Sequence, residues 1–277
     1  MIQLIIMSRK EKIRSEALEF NIKKFLECTK EIKNFNELNR AWAWYDCQNA
    51  FNNNHKLTPA EIDYRAKELF IYLANWGMVA RGSFIMKHTW RILKEVVTEI
   101  SRKEYNVLRK IAISETEKDS HINTINSLYE EIAQILYKYH EDYKPDDSVQ
   151  EKKDKSVLKV SSALITKILL GTTGCIVAYD SNVRNALSMF SNLDNNPEIR
   201  GAGGLRGKSD YRKDRFTDIY DFYFSYKDSF NKKIEKINQD STHPKWTVMK
   251  LIDYCLWNYW DTYGAKYEEI KKRISLS

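Results

Sequence analysis

Three stretches of the chain carry residues whose types and spacing suit chemistry. In the first, residues 164–187 (LITKILLGTTGCIVAYDSNVRNAL), Asp180 stands where an apolar run gives way to a polar, helix-forming one. A carboxylate there can cap the amides of its own helix, or it can face a centre where positive charge develops and hold the proton of an attacking water. In the second, Lys250, Asp253 and Trp257 are spaced i, i+3 and i+7, so they share one helix face. They read either as a functional trio or as a surface ion pair beside a core indole. In the third, residues 73–83 (LANWGMVARGS), Trp76, Arg81 and Ser83 follow a helix end. Trp76 can stack on a base, and Arg81 can bond a base edge or a phosphate. Core packing is the other use of Trp76.

Several chemistries are excluded. Residues 201–209 (GAGGLRGKS) hold Gly, Lys and Ser, but a phosphate loop needs Gly where Ala202 stands, and no strand precedes it. The stretch 192–215 reads instead as a mobile basic loop. Its glycines let backbone amides approach a phosphate, or it is a solvated loop without a ligand. The four cysteines, Cys28, Cys47, Cys175 and Cys255, form no Cys-x-x-Cys pair, which removes zinc ribbons and cysteine-ligated iron–sulfur clusters. Isolated thiols suit a reducing, cytoplasmic setting. The reading therefore includes no metal and no cofactor.

Positioning these residues falls to helices. The 277 residues include only 9 Gly and 4 Pro, too few turn formers for a sandwich or barrel, and 43% are hydrophobic, enough for a sizeable core. An all-α fold follows, as one domain spanning 1–277. Helices are expected over 10–34, 36–51, from Thr58 to about Trp76, 88–110, 122–140, 157–170, 182–190, 218–239 and 246–273. Thr58-Pro59-Ala60-Glu61 is the clearest start: an N-cap, a proline suited to the first turn, and an acid completing a capping box. Charged residues 143–155 read as an exposed loop. Residues 160–179 carry one charge, Lys167, and five serines and threonines. They read as a buried core segment with no membrane span, since a mid-span Lys costs about 3 kcal/mol on insertion. The net charge of +7 leans mildly toward a polyanionic partner.

Residues 164–187 resemble the helix-hairpin-helix DNA glycosylase superfamily, in which an apolar helix, a turn with Gly and a short extended stretch lead to an Asp opening the next helix. Gly174, Asp180 and Ser181-Asn182-Val183 align with its motif. The hairpin glycines are absent, Leu158 and Val160 standing in their places. The Schiff-base lysine of bifunctional members is replaced by Ser162. Lys167, five residues later, lies on a different helix face. The resemblance implies two helical lobes around a cleft, with 157–190 as the catalytic wall. It implies a monofunctional enzyme that flips a modified or damaged base out of DNA and excises it with Asp180. Trp76, Arg81, Ser83, Lys167, Tyr179, Lys250, Asp253 and Trp257 are the expected substrate-binding groups. Ser161, Ser162, Asn182, Arg200, Arg206 and Lys208 are the expected DNA contacts. No obligate protein partner is expected.

All three stretches are also similar to segments shared by a group of bacterial proteins: LANWGM-x-x-RGS, KILLGTxGC-x-x-AYD and K-x-x-D-x-x-x-W. That similarity spans most of the chain and says that the stretches belong together. It implies no activity. A non-catalytic nucleic-acid-binding helical protein is the alternative from another class.

Overall fold

The computed structural model describes residues 22–29, 42–52, 57–80, 83, 85–141, 160–193, 212–239 and 245–276. Among these residues every regular element is helical: α1 (Ile22–Glu27), α2 (Trp42–Asn52), α3 (Pro59–Asn75), α4 (Leu93–Ile100), α5 (Lys118–Glu141), α6 (Ser162–Thr172), α7 (Ser181–Leu193), α8 (Arg212–Ser225), α9 (Lys227–Asn238) and α10 (Val248–Leu276). No helix there is long and apolar enough to cross a membrane.

Helix α6 is the hub. Ser161 caps it, its hydroxyl accepting the Leu164 N–H at 3.2 Å, and Leu164 through Thr172 are all buried. A helix apolar on most faces has to be wrapped by others, and α2, α3 and α5 pack around this one. The C-terminal carbonyls of α6, which lack partners inside the helix, are met by α2. The Trp44 indole N–H donates to the Leu170 carbonyl at 3.0 Å, and the Gln48 amide donates to Leu170 and Gly171. A side chain at Gly171 has no room, because an added Cβ would stand 2.4 Å from the Tyr72 ring of α3. Past α6 the chain runs extended and fully buried through Tyr179 before α7 begins, and α7 lies along α10.

The expected helix starts and stops hold in outline. The Thr58 hydroxyl accepts the Glu61 N–H at 3.2 Å, and the Glu61 carboxylate takes up Arg65 at 2.9 Å. Four expectations need correction. The helix over 10–34 does not run through, since it ends at Glu27 and Cys28 and Thr29 form a turn. The helix over 88–110 is only α4, flanked by 3₁₀ turns Trp90–Ile92 and Lys103–Arg109, because Arg102 is extended and ends the α-helical run. The helix over 218–239 is two, broken where Tyr226 takes a non-helical backbone (φ −125°, ψ 25°). The basic loop stops short of 215, since Arg212 already opens α8. The loop 143–155, the rest of the basic loop with Arg200, Arg206 and Lys208, and most of 10–34 lie outside the described residues, as does Arg81.

Aromatic side chains join α1, α8, α9 and α10. The Phe25 ring meets Phe222 edge-on at 5.7 Å and Phe230 at 6.2 Å, with Tyr259 tilted at 6.0 Å. Such pairs contribute about 0.5–1.5 kcal/mol each beyond area burial.

Candidate active site

The extended run 174–180 is the frame of the site. Among the described residues it has no neighbouring strand, and its backbone groups find side chains instead. Gly174 turns the chain at φ +66°, and an added Cβ there would stand 2.7 Å from the Thr247 methyl. The Thr247 hydroxyl donates to the Gly174 carbonyl at 2.6 Å and accepts the Lys250 N–H. The Tyr220 hydroxyl donates to the Cys175 carbonyl at 2.7 Å. The Ala178 N–H donates to Asp253 Oδ1 at 2.8 Å, and the Tyr179 N–H to Thr166 Oγ1 at 2.9 Å. Helices α6, α8 and α10 thus each hold this segment by side chains.

Asp180 closes the run with both candidate roles visible. Its Oδ1 accepts the Val183 N–H at 3.0 Å, which is the N-cap of α7. Its Oδ2 accepts Lys167 Nζ at 2.8 Å. The carboxylate remains 16% exposed, whereas the Lys167 side chain is 4% exposed. An ammonium buried on a central helix costs several kcal/mol unless a charge offsets it, and Asp180 is that charge. The turn at Gly174 carries the chain back to α6, so two residues thirteen apart meet although they lie on different elements.

A second pair lies alongside. Lys250 Nζ is 3.8 Å from Asp253 Oδ2, and both residues are buried, so they are not the surface pair that their helical spacing allowed. Burial pushes the Lys250 ammonium below its ordinary value, with the Asp253 charge opposing. Burial likewise raises the Asp253 carboxyl, with Lys250 and Lys167 opposing. Three indoles gather round the ammonium: Nζ stands 5.0 Å from the Trp44 ring centroid, 5.6 Å from Trp76 and 5.7 Å from Trp246. The Trp76 ring also faces Lys167 at 5.3 Å. The half-buried Trp76 ring therefore joins the two ion pairs, and all three sequence stretches converge there.

The other expected residues divide. Ser161 caps α6 from an exposed position, and the Ser162 carbonyl accepts the Thr166 hydroxyl at 2.7 Å. Asn182 is half-buried in the first turn of α7. Ser83 caps a local turn, its hydroxyl accepting the Met86 N–H. Tyr179 is a core residue, its ring 6.1 Å from Phe216. Trp257 is half-buried, seven residues beyond Lys250 on α10. Tyr72, Thr166 and Trp246 also stand at the site without a motif of their own, whereas Trp44 belongs to a dense aromatic group with Trp42 and Tyr45 that suits either stacking or core packing. Among the described residues no group of three or more His, Cys, Asp or Glu comes together to hold a metal ion.

Comparison with protein-family models, curated proteins and solved structures returned no match.

Proposed function

We propose that the chain is a monofunctional DNA glycosylase that flips a modified base out of the helix and hydrolyses its N-glycosidic bond, with Asp180 as the essential carboxylate. One observation carries the reading. Lys167 spans Asp180 and Trp76, so a partly exposed carboxylate is held beside an aromatic ring inside a cluster of matched charges. A carboxylate has about four lone-pair sites. The Val183 amide and Lys167 use two, leaving acceptor capacity toward solvent.

In this mechanism the target base leaves the stack, with Trp76 as its stacking surface and the two helical lobes as walls of the cleft. Positive charge then builds on the deoxyribose as the bond to the base breaks. Asp180 stabilises that charge and orients the attacking water, while Lys167 fixes its orientation. Ser162 in place of a Schiff-base lysine supports hydrolysis without strand cleavage. The departures from repair-type motifs favour a specialised base. A hypermodified pyrimidine of the kind phages carry is the proposed substrate, which would make this a cytoplasmic antiviral enzyme.

The test exposes hypermodified phage DNA and unmodified DNA to the protein, followed by hot alkali, which breaks strands at abasic sites. Breakage of the modified DNA alone is expected. Asp180→Asn should abolish it while DNA binding persists. Breakage of both DNAs alike, or of neither, overturns the substrate assignment. DNA binding with no abasic sites on any substrate favours the second reading, a non-catalytic nucleic-acid binder. The capping bond from Val183 to Asp180 is the observation on that side.

A further inference from the structure

We infer that the outer face of α3 around Trp90 is a docking surface for the phosphate backbone of DNA, separate from the cluster at Asp180. Trp90 opens a 3₁₀ turn capped by Thr89, and that turn packs against α3. Three cations converge on its half-buried ring. Lys67 Nζ lies 4.9 Å from the centroid, Arg91 Cζ 4.8 Å and Lys94 Nζ 5.9 Å. Lys94 is matched by Asp63 at 2.6 Å. Among the described residues no carboxylate lies within ion-pair distance of Lys67 or Arg91, and both are exposed. Two uncompensated like charges gathered on one ring repel each other, and a shared anion relieves that repulsion. The ring also limits the motion of both heads, so less side-chain freedom is lost on binding. Arg91 brings a planar fork of N–H donors suited to phosphate oxygens, and Lys67 brings a point charge.

The neighbouring surface narrows the partner. Tyr64 (45% exposed) and Ile71 (47% exposed) lie three residues before and four after Lys67, on the same face of α3. The carboxylates of Glu68, Glu61 and Asp46 act on Tyr64, so the cationic ground is confined to Lys67, Arg91 and the Trp90 ring, with Ile71 beside it. A lipid surface fits less well, because the Trp90 ring is half-buried against α3 instead of projecting to insert. Lys67 and Trp76 are nine residues apart, so at 3.6 residues per turn they project from opposite faces of α3, and the Trp90 surface is a contact separate from the Trp76 ring.

This inference rests on the reading of the partner as DNA, and the test separates the two. Fluorescence anisotropy with a labelled 20-nucleotide strand and its duplex is followed from 50 to 300 mM salt for the full chain, Lys67→Ala/Arg91→Ala and Trp90→Leu. Circular dichroism checks folding of each variant. Removing two phosphate contacts should lower the slope of log affinity against log salt by about 1.5 and weaken binding about tenfold or more at low salt. Trp90→Leu should weaken binding with both cations still present. Wild-type affinity and slope in the double variant overturn the docking surface and leave the DNA reading intact. Patch-dependent binding without abasic-site formation supports the surface and sinks the glycosylase. If the wild type binds neither DNA form, or the double substitution weakens binding only to anionic phosphatidylglycerol vesicles, the inference fails.

Discussion

Breaking the Lys250–Asp253 pair offers the sharpest test of how the site is held. Both residues are buried, and Lys250 also faces three indoles. Lys250→Met keeps the length and apolar character of the stem, so the rings stay covered, but it leaves Asp253 without its nearest cation. Asp253→Asn keeps an oxygen for the Ala178 amide but leaves the Lys250 ammonium uncompensated. Stranding one member of a buried pair costs about 3–5 kcal/mol, whereas replacing both costs little or is stabilising. Each single substitution should therefore cost about 3 kcal/mol, a large share of the roughly 5–15 kcal/mol by which a domain is stable. The double substitution should cost less than either single one, giving a coupling of about 3 kcal/mol or more. Urea unfolding at pH 7, followed by far-ultraviolet circular dichroism for all four proteins, measures this directly. Additive single costs, or singles within about 0.5 kcal/mol of wild type, would refute the account of two mutually dependent buried charges.

Two further outcomes follow from packing and burial. Gly171→Ala places a methyl against the buried Tyr72 ring and should cost about 1–3 kcal/mol by overpacking. A melting temperature unchanged within a degree would show that the ring moves freely aside. His121 is buried edge-on to Tyr220, and burial pushes its imidazole down to about 4 from 6.5. The unfolded chain therefore binds the proton that the folded chain refuses between those values. Its contribution to stability is complete above pH 6.5 and falls by about 3 kcal/mol as pH drops to 4. His121→Phe should flatten the slope of unfolding free energy against pH in that window. An unchanged slope would assign the acid sensitivity elsewhere.

The share of the fold that is legible in the sequence is clearest from individual residues. Thr58 announces α3 because an N-cap is a local event with a local signature. The buried character of residues 164–179 follows from composition alone. The break at Tyr226 carries no Gly or Pro, since tertiary packing decides it. The i, i+3 relation of Lys250 and Asp253 is legible, yet their burial is not, because ionisable residues on a helix ordinarily face water. Lys167 lies on a different face of α6 from Ser162, and helical geometry alone does not bring it to Asp180. The meeting depends on the turn at Gly174 and on side chains from α8 and α10 that grip the returning chain. Trp44 and Trp246 reach Lys250 from 206 and 4 residues away in sequence, a distant and a near neighbour with no shared motif.

The grouping of two ammoniums with two carboxylates has a consequence for whatever enters beside them. Their charges already cancel, so an ionised group brought against them finds no surplus attraction to repay its lost hydration, whereas a neutral polar group has less hydration to give up.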